Sequence, residues 1–118
     1  MAYNKKVLGK IGEDLACMYL ENINYTIVYR NFRCKQGEID IIARDNNELV
    51  FIEVKTRTNK RYGKPVEAVT NVKQKHIKIA TEYYLYKKHI KNEYIRLDVI
   101  EVYIDERHYK INHIKQIM

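Results

Sequence analysis

The sequence predicts an α/β (α+β) domain built on a mixed sheet, with elements in the order α-β-β-β-α-β-β. Three observations carry that prediction. Apolar residues recur at helical spacing in two long segments. Five runs are rich in β-branched and aromatic residues, as strands require. Two of those runs are joined by Asp45-Asn46-Asn47-Glu48, which is hairpin chemistry because Asn tolerates the positive φ of tight turns.

The first helix is expected from about Asn4 to Glu21, where Leu8, Ile11, Leu15, Met18 and Tyr19 form one apolar stripe. A second stripe combines Gly9, Glu13, Ala16 and Leu20. Its small residues would let the helix lie close to a sheet. Asn22 to Asn24 breaks the pattern. Strands follow at Tyr25 to Arg33, Glu38 to Arg44 and Leu49 to Arg57. Thr58 to Pro65 reads as a loop, marked by Gly63 and Pro65. A long helix is expected from about Val66 to Lys88, with Glu67 in its first turn, where the helix dipole favours negative charge. Its inward stripe is Val66, Val69, Lys73, Ile77, Ala80 and Tyr84, so Lys73 points inward or snorkels along the sheet. Ile95 to Ile104 and Tyr109 to Ile114 complete the strands.

Length and composition bound the function. The 118 residues fit one domain over 1–118, and 46% apolar content is enough for a core. Cys17 and Cys34 are too few for a disulfide scaffold and suit a reducing, cytoplasmic setting. The start holds no unbroken apolar stretch, so no signal peptide is expected. The longest apolar run, Leu15 to Leu20, is too short to span a membrane. The formal charge is +7 and the pI about 9.3, which favours a polyanionic partner, nucleic acid before membrane surface. Lys55 to Arg96 holds 12 basic and 3 acidic residues, while Met1 to Val54 holds 7 and 8. The excess positive charge therefore belongs to the middle of the chain, with acids concentrated beside it. Lysine-rich helices are also simply soluble. The four histidines show no zinc spacing with either cysteine, and no glycine-rich phosphate loop follows a strand.

The hairpin makes a sharper statement. A turn centred on Asn46 and Asn47 pairs Ile42 with Phe51, Asp40 with Glu53, and Glu38 with Lys55. Alternation then puts Glu38, Asp40, Ile42, Phe51, Glu53 and Lys55 on one face, and Ile39, Ile41, Val50, Ile52 and Val54 on the other. Opposed carboxylates about 5 Å apart destabilise a sheet unless a cation sits between them. Oxygen ligands at that separation suit Mg²⁺ or Mn²⁺. The same residues also suit the wet face of an amphipathic hairpin, although Ile42 and Phe51 share that face and buried carboxylates need partners.

Gly37-Glu38-Ile39-Asp40 followed by Glu53-Val54-Lys55 resembles the bipartite site of the PD-(D/E)XK nuclease superfamily. The wider pattern resembles the small bacterial YraN-type family, related to Holliday-junction resolvases. Gly9 to Ala16, Tyr29-Arg30-Asn31, Tyr62 to Val69, Lys73-Gln74-Lys75 and Arg96 to Ile100 fall in family order across nearly the whole chain. The resemblance implies a restriction-endonuclease-like fold, a central mixed sheet flanked by helices. It implies that Asp40 and Glu53 bind metal, that Lys55 is the catalytic lysine, and that Glu13 matches the extra glutamate of resolvase-like members. Glu13 equally suits a solvated helix position beside Asp14. Gln74 resembles a glutamine that some branches place beside the site, and a structural role suits it as well. The leading motif lacks the proline of the superfamily's name, which leaves the role of Glu38 open.

What the resemblance implies is a Mg²⁺- or Mn²⁺-dependent endonuclease acting on DNA by structure or branch rather than by sequence. Arg57, Lys60, Arg61, Lys64, Lys73, Gln74 and Lys75 would bind the nucleic acid backbone. Resolvase relatives work as dimers, so a homodimer is part of the expectation. The alternative is a non-catalytic nucleic-acid-binding module or adaptor on the same fold.

Overall fold

A computed structural model describes residues 4–58 and 71–117. Asn4 caps the first helix, α1 (Lys5–Asn22), its side-chain oxygen accepting from the Val7 N–H at 2.8 Å. Strands β1 (Thr26–Cys34), β2 (Gly37–Asp45) and β3 (Glu48–Arg57) follow. Helix α2 (Asn71–Lys87), β4 (Tyr94–Ile104) and β5 (Tyr109–Ile114) come after them. The element order is the expected one, and each strand bound lies within one residue of its sequence-based position. The expected loop from residue 59 and the start of the second helix at Val66 lie outside the described residues.

The five strands form one mixed sheet whose spatial order, β1-β2-β3-β4-β5, is also their order along the chain. Only β3 and β4 are parallel, with α2 between them in sequence as the crossover that a parallel pair requires. This two-helix, five-strand arrangement is compatible with the restriction-endonuclease-like fold. Among the described residues no helix is long and apolar enough to cross a membrane.

Each face of the sheet carries its own core. Ile77, Ala80 and Tyr84 of α2 pack on Phe32, Ile42, Phe51 and Val99. Ala16, Cys17 and Leu20 of α1 pack on Ile41, Val50, Ile52 and Ile100. The inner stripe of α2 is therefore the expected one where it is described. That of α1 is not: Met18 is 55% exposed, while Gly12, Ala16, Cys17 and Leu20 are buried. The small-residue stripe wins because it permits the closer approach. A Cβ on Gly12 would run into the Thr56 hydroxyl of β3, so the helix lies against the strand at that point.

The hairpin register is as the turn chemistry required, with Ile42 opposite Phe51, Ala43 opposite Val50 and Asp45 opposite Glu48. It does not extend as far as expected. Pairing between β2 and β3 stops at Ile41 and Ile52, although β2 stays paired to β1 as far as Gly37 and β3 to β4 as far as Arg57. Asp40 is thus not laddered against Glu53, nor Glu38 against Lys55. The assignment of faces also changes. Ile39 joins Phe32 and Ile42 on the α2 side instead of Ile41 on the α1 side. The cause lies one strand over. Asn31, between the pairs Arg30–Ile41 and Phe32–Ile39, adopts a left-handed φ of 56°. Both strands reverse their alternation there.

Candidate metal and phosphate site

The gap between β2 and β3 is where the acids converge. Asp40 fills it: its Oδ2 accepts from the Val54 N–H at 2.8 Å, replacing a backbone acceptor that the ladder no longer supplies. Because Gly12 brings α1 down onto β3, Glu13 on the next position reaches the same place. Carboxylate oxygens of Glu13, Glu38 and Asp40 lie within 4.8 Å of one another. Glu38, whose role the sequence left open, belongs to this cluster.

Asn31 organises it. The Asn31 amide, oriented with its nitrogen toward the acids, donates to Glu13 Oε1 and to Glu38 Oε1, each at 3.1 Å. Arg30 lies beside it, 3.7 Å from Glu13 and 2.8 Å from Asp14, and Arg33 Nε lies 3.4 Å from Glu38. None of these three was singled out as a site residue from the sequence. The available signal was an asparagine inside a strand-like run, since Asn is the residue that most readily takes left-handed φ after glycine.

Glu53 stands on the other side of the gap, among cations. It is 5% exposed, and its Oε1 lies 3.4 Å from Lys55 Nζ and 3.2 Å from Lys73 Nζ. Lys73 therefore reaches inward from α2, as its place on the apolar stripe required. The expectation that all the acids share one face does not hold: Glu38 and Asp40 associate with Glu13 of α1, and Glu53 with Lys73 of α2.

The electrostatics follow from this crowding. Burial, then the charge of Glu53, and next those of Glu13 and Glu38, push the Asp40 carboxyl up to about 8 against the pull of the Val54 N–H. Burial also raises Glu13, opposed by Arg30 and the Asn31 amide. Carboxyls raised in this way, as Asp40 and Glu13 are, are hard oxygen donors short of positive charge, and the cluster they form with Glu38 suits a divalent cation.

The residues expected to bind nucleic acid divide. Lys75 is exposed on α2, and Gln74 is half-buried beside Lys73. Arg57 turns inward, its Nε 3.7 Å from Oε2 of the fully buried Glu101, whose Oε1 accepts from the Tyr103 hydroxyl at 2.9 Å. Lys60, Arg61 and Lys64 lie outside the described residues. A second buried polar network, also not foreseen, sits toward the far end of the sheet. Arg96 Nε and Nη2 each contact Asp98 at 3.0 Å, and His113 Nε2 lies 2.7 Å from the same carboxylate. These partners hold Asp98 below the usual carboxylate range despite its burial.

Residues 12–102 match the profile of a family described as Uncharacterised protein family UPF0102. A UPF0102 protein of Caldicellulosiruptor saccharolyticus is 48% identical over 102 residues, covering 86% of each chain. A UPF0102 protein of Clostridium botulinum is 52% identical over 106 residues, covering 89% of this chain and 86% of the relative. A solved structure described as the crystal structure of SSO0001 aligns over 95% of this chain with TM-score 0.38 and 21% identity. The alignment spans about half of that chain, 52%.

Proposed function

The chain belongs to the UPF0102 family, the YraN-type proteins of bacteria, and from that premise we propose that it is a metal-dependent endonuclease hydrolysing phosphodiester bonds in DNA. The observation that carries the reading is the meeting of Glu13, Glu38 and Asp40 in the gap between two strands, with Glu53, Lys55 and Lys73 across it. A solvated hairpin face does not need a strand ladder that parts around an aspartate.

In this reading Asp40, Glu13 and Glu38 would hold Mg²⁺ or Mn²⁺, and Glu53, which faces Lys55 and Lys73, would offer a further carboxylate. When bound, the ion supplies Lewis-acid polarisation of a phosphoryl oxygen and a water of lowered pKa. Lys55 and Lys73, released from Glu53, neutralise charge developing on the phosphoryl oxygens. Asn31 fixes Glu13 and Glu38, and Val54 fixes Asp40, so the donors are oriented before the cation arrives.

The test is cleavage of branched, flapped, single- and double-stranded DNA with Mg²⁺ or Mn²⁺, with Asp40→Asn and Glu53→Gln beside the wild type. Cutting that requires metal and disappears in both variants supports the enzyme. One observation favours the alternative of a non-catalytic binding module: Glu53 is already neutralised by two ammonium groups. Nucleic acid binding with no cutting of any substrate in either metal would select it.

A further inference from the structure

The C-terminal half of α2 and the neighbouring edge strand β1 share an aromatic surface that neither core absorbs. Tyr84 packs inward at 4% exposure, but Tyr83 and Tyr86 beside it are 42% and 80% exposed, and Tyr29 of β1 is 44% exposed. Lys87 Nζ stands 6.0 Å from the centroid of the Tyr83 ring, and Lys88 Nζ 6.0 Å from that of Tyr29. We infer that Tyr29, Tyr83 and Tyr86, with Lys87 and Lys88, form a platform for an unpaired nucleic-acid strand, whose bases stack on the rings and whose phosphates meet the lysines. The inference rests on the phosphodiesterase reading and deepens it by naming a substrate form and a surface away from the acids that holds it.

The rings are braced from beneath. Phe32, itself 5% exposed, meets Tyr29 edge-on with centroids 6.0 Å apart and lies 6.1 Å from Tyr83 at an interplanar angle of 33°. Tyr84 meets the same Phe32 edge-on at 5.0 Å. One core residue thus fixes two tyrosines and leaves close to half of each open. A ring already held in place costs little entropy when a base settles on it. At 6.0 Å the two ammonium groups are at the outer limit of a cation–π contact, so they flank the rings without sealing them.

Charge selects the occupant. From Asn71 to Asn92 the chain holds six lysines and one acid, Glu82. The next acid, Glu93, is already held by Nη1 and Nη2 of Arg44 at 3.1 and 3.0 Å. Lys73 turns inward to Glu53. Lys75, Lys78, Lys87, Lys88 and Lys91 are exposed and form no ion pair among the described residues. A second copy of this chain docking on the same face would set like charge against like. An unpaired strand answers the charge and the aromatic surface together, because every base has a π face and every link a phosphate. A duplex keeps its bases stacked on one another and would use only the lysines. The platform also shares its helix with the site: Lys73 enters near the N-terminus of α2, and Tyr83 and Tyr86 lie about 15–20 Å further along the axis. A strand running from the platform along α2 passes the exposed Lys75 and leads toward Lys73.

The experiment measures fluorescence anisotropy of three labelled probes of equal length, without metal and across a range of salt. They are an oligothymidylate, a strand of abasic sites and a blunt duplex. Tyr83→Leu/Tyr86→Ala removes the rings while keeping an apolar side chain beside Phe32, and Lys87→Gln/Lys88→Gln removes charge. Lys110→Gln/Lys115→Gln is the control, at exposed positions on and just after β5, the opposite edge of the sheet. Matched thermal melts verify folding. We expect the wild type to prefer the oligothymidylate to both other probes. The tyrosine variant should bind it about 30-fold more weakly, as two lost stacked bases predict, with its salt slope and its affinity for the abasic strand little changed. The lysine variant should lose about 1.4 units of log–log salt slope on both single strands, and the control much less. A wild type that binds the abasic strand as well as the oligothymidylate, or a tyrosine variant that binds like the wild type, would overturn the platform and leave the nuclease reading standing. A tyrosine variant changed only in its molar mass by sedimentation would overturn it as well and assign the face to a second copy. The expected pattern with no cleavage in Mg²⁺ or Mn²⁺ would keep the platform and remove only the hydrolysis. A wild type that binds no oligonucleotide would overturn both.

Discussion

The carboxylate of Asp40 takes the N–H of Val54 at 2.8 Å, two residues past Ile52, the last residue of β3 paired to β2. A side chain has replaced backbone as the acceptor, and the strands part around it. Asp40→Asn keeps an oxygen acceptor for Val54 while removing charge; Asp40→Leu removes both. The Asn variant should melt near or above the wild type and lose Mn²⁺ affinity on the order of 10- to 100-fold or more, measured by calorimetry. The Leu variant should also lose about 1–3 kcal/mol of stability by orphaning a buried N–H. Unchanged Mn²⁺ affinity in the Asn variant would remove Asp40 from the metal site.

The same crowding sets a pH dependence. The ordinary Asp value is 3.8 and the folded value about 8, so between them the folded chain keeps a proton that the unfolded chain has released. Stability of the metal-free protein should therefore fall as pH rises through that window, and Glu13, raised as well, adds in the same direction. Urea midpoints taken across the window should show the decline, and both Asp40→Asn and saturating Mn²⁺ should flatten it. A flat profile for the metal-free wild type would mean that the acids are not coupled as their distances indicate.

Asn31 combines a left-handed φ of 56° with an amide shared by Glu13 and Glu38, and two substitutions separate these roles. Asn31→Gly keeps the backbone conformation and should preserve stability while weakening Mn²⁺ binding by about 10- to 100-fold. Asn31→Ala should weaken binding similarly and in addition cost about 1–2 kcal/mol from the φ alone. If the Gly variant binds Mn²⁺ as the wild type does, Asn31 shapes the strand and nothing more.

Two glycines one helical turn apart should respond with opposite signs. Gly12→Ala drives a methyl group into Thr56 and should destabilise by about 1–3 kcal/mol, partly recovered by Thr56→Ala. Gly9→Ala meets no atom and should stabilise α1 by about 0.5–1 kcal/mol. Chemical denaturation of the four proteins decides it.

The buried Asp98 neutralises Arg96 and anchors His113. Asp98→Ala should cost about 3–5 kcal/mol, because it leaves a buried guanidinium without its main counter-charge. A loss below about 1 kcal/mol in denaturant unfolding would show that Asp45 and Glu48, which also contact Arg96, suffice.

Much of this architecture was legible in the sequence because its causes are local. Asn46-Asn47 and the alternation around it specify a register, and Ile42 does face Phe51. The break at Asp40 was not legible from β2 and β3 themselves, because its origin is the backbone of Asn31 on a third strand. The sequence offers two stripes on α1, and the small-residue one with Ala16 and Leu20 is the more deeply buried. Met18 is larger than Ala16, but proximity to the sheet is decided by what can be absent, as at Gly12. Charge counted along the chain does not show that Lys5, Lys10 and Arg33 converge, which they do only in three dimensions. Arg96, Asp98 and His113 find each other across strands, and no spacing rule announces them.

The sheet is laid out in the order in which it is synthesised. Each strand can join the edge left by its predecessor, and only the helical crossover to β4 delays the sequence. Glu13, Glu38, Asp40 and Glu53 all precede that crossover, while Lys73 lies within it. On the ribosome, the acids can be assembled before the second of the two ammonium groups that face Glu53 has been translated. A nascent chain at that stage would present unbalanced negative charge, and free divalent cations in the cell would have their first opportunity to bind.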